Sequence, residues 1–235
     1  MPIHYQQSPT GSPRREIHRW RMFCGLSPAA LSDFELVGLQ MRIPKGAVLF
    51  QEGDRASNIA VICDGQMKVQ STSPGGKPRI LRIAVPGCML GVGAAISGGA
   101  YEATVQALQR TIVRSIRKDE FLTFLEQHAH AKIHAAKVLS EEYESAFFDA
   151  RHLALASSAA GRVASVLLDL GRSISGNGEQ RFTMALTHEE LGSLAFTSRE
   201  TVTRILSRFR RENWIRVHGS TVTILTPDRL KQLAY

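Results

Sequence analysis

The stretch Leu186–Arg211 (LTHEELGSLAFTSRETVTRILSRFRR) constrains the fold more than any other part of the chain, because it encodes two helices and leaves almost no residues to join them. Thr187 and Glu190 form a T-x-x-E capping box, in which each side chain can satisfy a backbone N–H that the first turn leaves without a partner. The helix that starts there is expected to bury Leu191 and Leu194. After a short turn, Thr197 or Ser198 caps a second helix. In it Val202, Ile205, Leu206 and Phe209 follow the i, i+3, i+4, i+7 spacing of a core-facing stripe, so the opposite face carries Arg199, Glu200, Thr203, Arg204 and Arg208. From Trp214 to Ile224 apolar and polar residues alternate around His218-Gly219-Ser220, the pattern of a hairpin that would form a wing beside the helices.

A net charge of +8 favours a polyanionic partner: nucleic acid, an anionic membrane surface or an acidic protein. Charge cannot choose among these, and a basic helix taken alone is equally well explained as the solvated face of an ordinary helical domain. Caps, stripe, short turn and hairpin in register separate the two readings, since together they describe a helix able to lie in the major groove with its first two turns against base edges. An arginine fork reaches guanine O6 and N7 together, and a glutamate accepts from cytosine N4. A carboxylate facing a polyphosphate otherwise only weakens attraction, so Glu200 points to base reading. Around these positions Thr187, Ser198, Thr203, Arg208, Arg211 and, at the hairpin turn, His218 are candidates for other contacts to double-stranded DNA, chiefly to its phosphates, with Arg210 and Arg216 nearby.

Upstream, residues 1–18 are polar and rich in Pro, Ser and Gln, as expected of a flexible tail. Ser27-Pro28 starts a short helix with proline at its first position. Between Met41 and Ile116, apolar runs (Val48–Phe50, Ile59–Ile62, Met67–Val69, Ile80–Val85, Thr104–Ala107, Ile112–Ile116) are divided by glycine-bearing turns, which predicts an antiparallel sandwich or roll. Helical periodicity takes over near Lys118. Ile133, Ala136, Ser140, Tyr143, Phe147, Ala150 and Ala154 recur at alternating three- and four-residue steps: a pairing seam between two copies, or a helix packed on its own sheet, and the two can share one helix on different faces. Small residues from Ala156 to Gly161 suggest a hinge, Arg162–Leu170 a short amphipathic helix, and Ser173–Gln180 a loop. The expected organisation is α+β: a tail (1–18), a β-roll (19–127), a dimerisation helix (128–156) and a winged helix-turn-helix (157–235).

LTHEELGSLAFTSRETVTRIL, together with KGAVLFQEGD at Lys45–Asp54, GQMKV at Gly65–Val69 and Pro86-Gly87, resembles the CRP/FNR family of bacterial transcription regulators. The resemblance implies a cyclic-nucleotide-binding-like β-roll (an antiparallel jelly roll), a dimerising helix and a C-terminal winged helix-turn-helix. It also implies a homodimer on a palindrome of TGTGA-like half-sites read by Arg199, Glu200 and Arg204, with RNA polymerase a further candidate partner. Family members usually carry glycine in the turn between the two helices, where this chain has Phe196. A non-glycine residue at positive φ costs on the order of 1 kcal/mol, so a differently shaped turn is expected.

In relatives that bind cyclic AMP, a glycine–glutamate pair holds the ribose and an arginine–serine pair the cyclic phosphate. The aligned residues here are Gly91 and Val92, then Tyr101 and Glu102, while Phe147 and Phe148 stand where the dimer helix would meet adenine. A carboxylate facing a phosphate repels it and valine offers no acceptor, which argues against cyclic AMP in the usual mode. The pocket could instead be filled by side chains, take a more apolar ligand, or leave signalling to another site. An iron–sulfur switch needs about four thiolates, and the chain has only Cys24, Cys63 and Cys88, widely spaced. A redox role for Cys24 is weaker than an inert thiol. His128, His130 and His134 offer two imidazoles at i, i+4 and no evident third ligand, so a metal or haem site is weaker than a solvated face, and no cofactor is assigned.

A catalytic cupin would need histidines on the strands, and Met41–Ile116 has none. A module acting on a protein partner would leave the winged helix unexplained. With no apolar run near the ~18 residues that span a bilayer and no apolar leader after Met1, the expectation is a cytoplasmic protein that is not an enzyme.

Overall fold

The computed structural model describes residues 27–72, 76, 78–154, 158–175 and 181–234; the side chains of Leu31, Glu35 and residues 145–154 and 173–175 lie outside the description. The expected tail, Cys24 and the start of the expected hinge therefore lie outside it as well. Two compact units make up the chain, one running to Ser71 and resuming at Ala84–Ser145, the other comprising Thr72–Ile83 and Ala146–Tyr235.

Helix α1 (Pro28–Leu36) starts as expected: the Ser27 side chain accepts from Ala30 N at 3.2 Å and Pro28 opens the first turn. The strands that follow are β1 (Leu39–Ile43), β2 (Val48–Phe50), β3 (Asn58–Asp64), β4 (Met67–Thr72), β5 (Pro78–Ala84) and the two-residue β6 (Met89–Leu90). A short helix α2 (Val92–Ser97) then precedes β7 (Thr104–Ala107) and β8 (Thr111–Arg117). They form two four-stranded sheets, ordered β1-β8-β3-β6 and β2-β7-β4-β5. Each apolar run predicted from the sequence lies on a strand, except that Val85 falls one residue beyond the end of β5. The strand β1 (LQMRI), although it alternates apolar and polar residues, was not predicted, nor were the two-residue β6 and the six-residue helix α2, which are too short to show a period.

Strand β3 shows how the roll closes. A strand with both faces covered reads as a continuous apolar run instead of alternating. Ile59 and Val61 enter one core with Ile116, Phe121 and Phe124, and Ala60 and Ile62 enter a second with Phe50, Leu90 and Val113. Gly65, at φ +91°, turns the chain into β4 where a Cβ would stand 2.6 Å from Thr111 Oγ1, so only glycine fits.

Helix α3 (Lys118–Gln127) and the long helix α4 (Ala129–Ala154) are separate, broken at His128. One face of α4 packs on the roll, and the residues of the expected pairing stripe lie on another. Ala131 and Ala135 are buried against the roll, whereas Ile133 is 54% and Tyr143 71% exposed, with Ala136 and Ser140 also exposed. Phe147, Ala150 and Ala154 complete the stripe in sequence, but their side chains lie outside the description.

In the second unit, α5 (Ala159–Ser175) absorbs Ala159–Gly161, which were expected in a hinge, and outruns the predicted segment at both ends. Strand β9 (Arg181–Thr183), α6 (His188–Leu194), α7 (Arg199–Arg211), β10 (Ile215–His218), β11 (Thr221–Ile224) and α8 (Pro227–Ala234) complete it. The hairpin β10–β11 pairs Ile215 with Ile224 and His218 with Thr221, and β9 extends it to three strands.

Candidate nucleic-acid interface

The two helices of the interface are fixed at both ends by local chemistry. The capping box of α6 has both its bonds: Glu190 N donates to Thr187 Oγ1 at 3.1 Å and Thr187 N donates to Glu190 Oε2 at 3.0 Å. Leu191 is fully buried, while Leu194, expected beside it in the core, is only half-buried at the end of the helix. Of the two possible caps for α7 the chain uses Ser198, whose hydroxyl accepts from Thr201 N at 3.2 Å.

The turn between α6 and α7 departs from expectation. Phe196 does take the left-handed conformation (φ 49°) that glycine would favour, so the turn is not reshaped. Thr197 N donates to Gly192 O at 2.9 Å and Phe196 N to Ser193 O at 3.4 Å, the paired bonds of a Schellman ending. The cost of about 1 kcal/mol at Phe196 is offset by an anchor the sequence did not reveal. Arg162, near the start of α5, donates from Nε to Ala195 O at 2.8 Å and from Nη2 to Phe196 O at 3.2 Å. The glycine this turn cannot do without is Gly192, where a Cβ would lie 2.8 Å from Thr197 O.

Helix α7 ends in the same way. Asn213 is left-handed at φ 56°, Trp214 N donates to Phe209 O at 2.8 Å, and the Phe209 and Trp214 rings pack with centroids 5.3 Å apart. Between its two ends Val202, Ile205, Leu206 and Phe209 are all buried, as the stripe required. That burial fixes the rotation of the helix and leaves Arg199, Glu200, Thr203 and Arg204 exposed together along its first two turns.

Glu200 is held as a carboxylate: its own backbone N–H, then the Ser198 hydroxyl, keep its pKa below the ordinary carboxylate value, with Arg199 adding attraction. Arg204 reaches Thr201 Oγ1 from Nη2 at 3.4 Å. Of the candidate phosphate contacts, Thr187 and Ser198 are exposed but use their hydroxyls as caps. Arg211 and His218 are exposed. Arg208 is drawn to the C-terminal end of the helix, where Nε donates to Glu212 Oε1 at 2.9 Å and the guanidinium lies 5.5 Å from the centre of the Trp214 ring. Thr203 is tied on two sides, with Oγ1 donating to Arg199 O at 2.9 Å and standing 2.8 Å from His188 Nδ1.

The effector-pocket positions part company in the roll. Tyr101 is buried, its ring stacked on Phe50 at 4.2 Å. Its hydroxyl donates to Asn58 O at 2.7 Å and accepts from Asn58 N at 3.1 Å and Ser57 N at 3.3 Å. Gly91 leaves room for that ring, since a Cβ there would come within 3.1 Å of Tyr101 Cε1. Val92 points away into the other core beside Ile59 and Phe121, and Glu102 is exposed, so these two do not meet Tyr101 in one pocket. The Phe147 and Phe148 side chains lie outside the description.

Among the described residues no group of three His, Cys, Asp or Glu side chains is placed to hold a metal ion. His128 Nε2 sits 3.1 Å from Asp33 Oδ2, close enough for an ion pair when the ring is protonated but off the line a hydrogen bond needs. Burial, then Lys137 and His130, lower the pKa of His134. No helix among the described residues is long and apolar enough to cross a membrane.

A roll with a long helix, followed by a winged helix-turn-helix whose second helix exposes a basic face, defines the class: a regulator built to bind DNA. Sequence comparison agrees. A family model described as a cyclic nucleotide-binding domain matches residues 40–128, and one described as a Crp-like helix-turn-helix domain matches residues 161–233. Similar proteins include a CRP-like cAMP-activated global transcriptional regulator of Mycobacterium tuberculosis, 26% identical with 91% of this chain and 96% of the relative covered. A cyclic AMP receptor protein of Thermus thermophilus is 28% identical with the same coverage, 91% and 96%. The solved structure of FixK2 from Bradyrhizobium japonicum superposes with a TM-score of 0.77 at 19% identity, over 85% of this chain and 98% of that one. The chain belongs to the CRP/FNR family of transcription regulators.

Proposed function

We propose that this chain is a sequence-specific transcription regulator of the cytoplasm. It acts as a homodimer on a palindrome of TGTGA-like half-sites, performs no catalysis, and is not controlled by cyclic AMP in the usual mode. The observation that carries the reading is the joint exposure of Arg199, Glu200 and Arg204 on a helix whose rotation is set by four buried residues. Two arginines and a charged acceptor on adjacent turns match the donor and acceptor pattern of guanine and cytosine edges. The exposed Ile133–Tyr143 stripe of α4 supports a two-fold partner, which would supply the second reading helix.

A gel shift on a TGTGA palindrome tests the assignment. Arg199→Ala and Arg204→Ala are each expected to cost about 1–3 kcal/mol of specific binding; variants that remain folded dimers and bind like the wild type would remove the base-reading role.

The names of the relatives suggest cyclic AMP as effector. Tyr101 favours a different state, because its ring and hydroxyl already occupy contacts beside Gly91 at the position aligned with the phosphate-binding pair. Titration with cyclic AMP checks this, and saturable binding at micromolar concentration that changes DNA affinity would restore the usual mode.

A further inference from the structure

The hydroxyl of Thr203 is already engaged where an exposed residue on the reading helix would be expected to keep it for DNA. It has one proton, and that proton goes to Arg199 O at 2.9 Å. The second contact, with His188 Nδ1 at 2.8 Å, is then a hydrogen bond in the tautomer that carries its proton on Nδ1. His188 opens α6 and Thr203 lies one turn into α7, so the contact links the two helices of the motif beside the reading face. With the oxygen engaged in both contacts, the γ-methyl is the group of this exposed side chain that neither contact holds.

We infer that Thr203 is a specificity residue that reads the 5-methyl group of a thymine, and that His188 is the positioning residue that fixes its rotamer. The inference rests on α7 lying in the major groove. A threonine methyl can contact the thymine methyl there, and no other base carries a group at that place. A threonine whose hydroxyl were free could turn to bond a phosphate or a base edge, and the methyl preference would disappear.

The test uses the full-length protein and the duplex recovered by binding-site selection, with each thymine of one half-site replaced in turn by uracil, which removes the methyl group alone. At one thymine the wild type is expected to bind the uracil duplex about fourfold more weakly, the equivalent of burying a single methyl group. Thr203→Ser keeps the hydroxyl contacts and deletes the methyl, so it should bind both duplexes equally. His188→Ala should reduce the ratio, and His188→Gln, whose amide can still donate to the Thr203 hydroxyl, should restore part of it. A selected half-site without thymine, a ratio of one at every thymine, or a ratio that survives Thr203→Ser overturns the methyl contact. A full ratio in His188→Ala overturns the positioning role. Loss of all sequence preference in the wild type would instead fail the DNA-reading assignment itself, a separate result.

Discussion

At the scale of single residues, the interface depends on positions whose importance comes from space and hydrogen bonding instead of charge. Gly192→Ala would press a Cβ to 2.8 Å from Thr197 O. Overpacking of this kind costs about 1–3 kcal/mol, so urea unfolding of the winged domain is expected to shift to a lower midpoint. In the roll, Tyr101→Phe removes one hydroxyl and leaves Asn58 O without its donor. An expected loss of about 1–3 kcal/mol can be read from thermal melts. Glu200 has a pKa below that of a free glutamate, so the carboxylate survives acidification through the unperturbed value. If Glu200 reads a base as proposed, discrimination there should stay flat from about pH 8 to pH 5 and fall only at lower pH; a midpoint above pH 5 would contradict the hydrogen bonding around it.

At the scale of elements, the sequence was legible where the periodicity was strong. The α7 stripe, the capping box and the β10–β11 hairpin could all be read because each signal is contained in a dozen residues or fewer. Phe196 misled because the strain of a left-handed phenylalanine is answered by Arg162, more than thirty positions away in sequence. The link between His188 and Thr203 was hidden for the same reason: propensity places both on helices but says nothing about contact between them. Helix α4 was ambiguous in sequence because its two apolar faces, one buried by Ala131 and Ala135 and one exposed around Ile133 and Tyr143, overlap in a single periodic pattern. If the exposed face is the seam, Ile133→Glu should halve the mass seen by sedimentation equilibrium while leaving the helical circular dichroism of the monomer unchanged.

At the scale of the whole molecule, the proposed function divides the work: the excess of positive charge and the basic ends of α7 would supply an attraction to DNA that does not depend on sequence, and the Arg199–Arg204 face would supply the choice of site. Each phosphate contact releases counterions and steepens the salt dependence by about 0.9 in log–log slope. Arg211→Ala is expected to lower that slope by roughly one unit without changing the preferred sequence. The family and its fold could be read because its signatures lie at both ends of the chain. The effector question could not be settled from the aligned positions alone, since Val92, Tyr101 and Glu102 are neighbours in alignment yet point to three different environments. The central claim, a base-reading protein that needs no cyclic AMP, is tested most directly by binding-site selection on random duplexes with and without cyclic AMP. The same TGTGA-like palindrome is expected to be enriched to the same extent in both; no enriched motif, or enrichment only when the nucleotide is present, would contradict a reader independent of cyclic AMP.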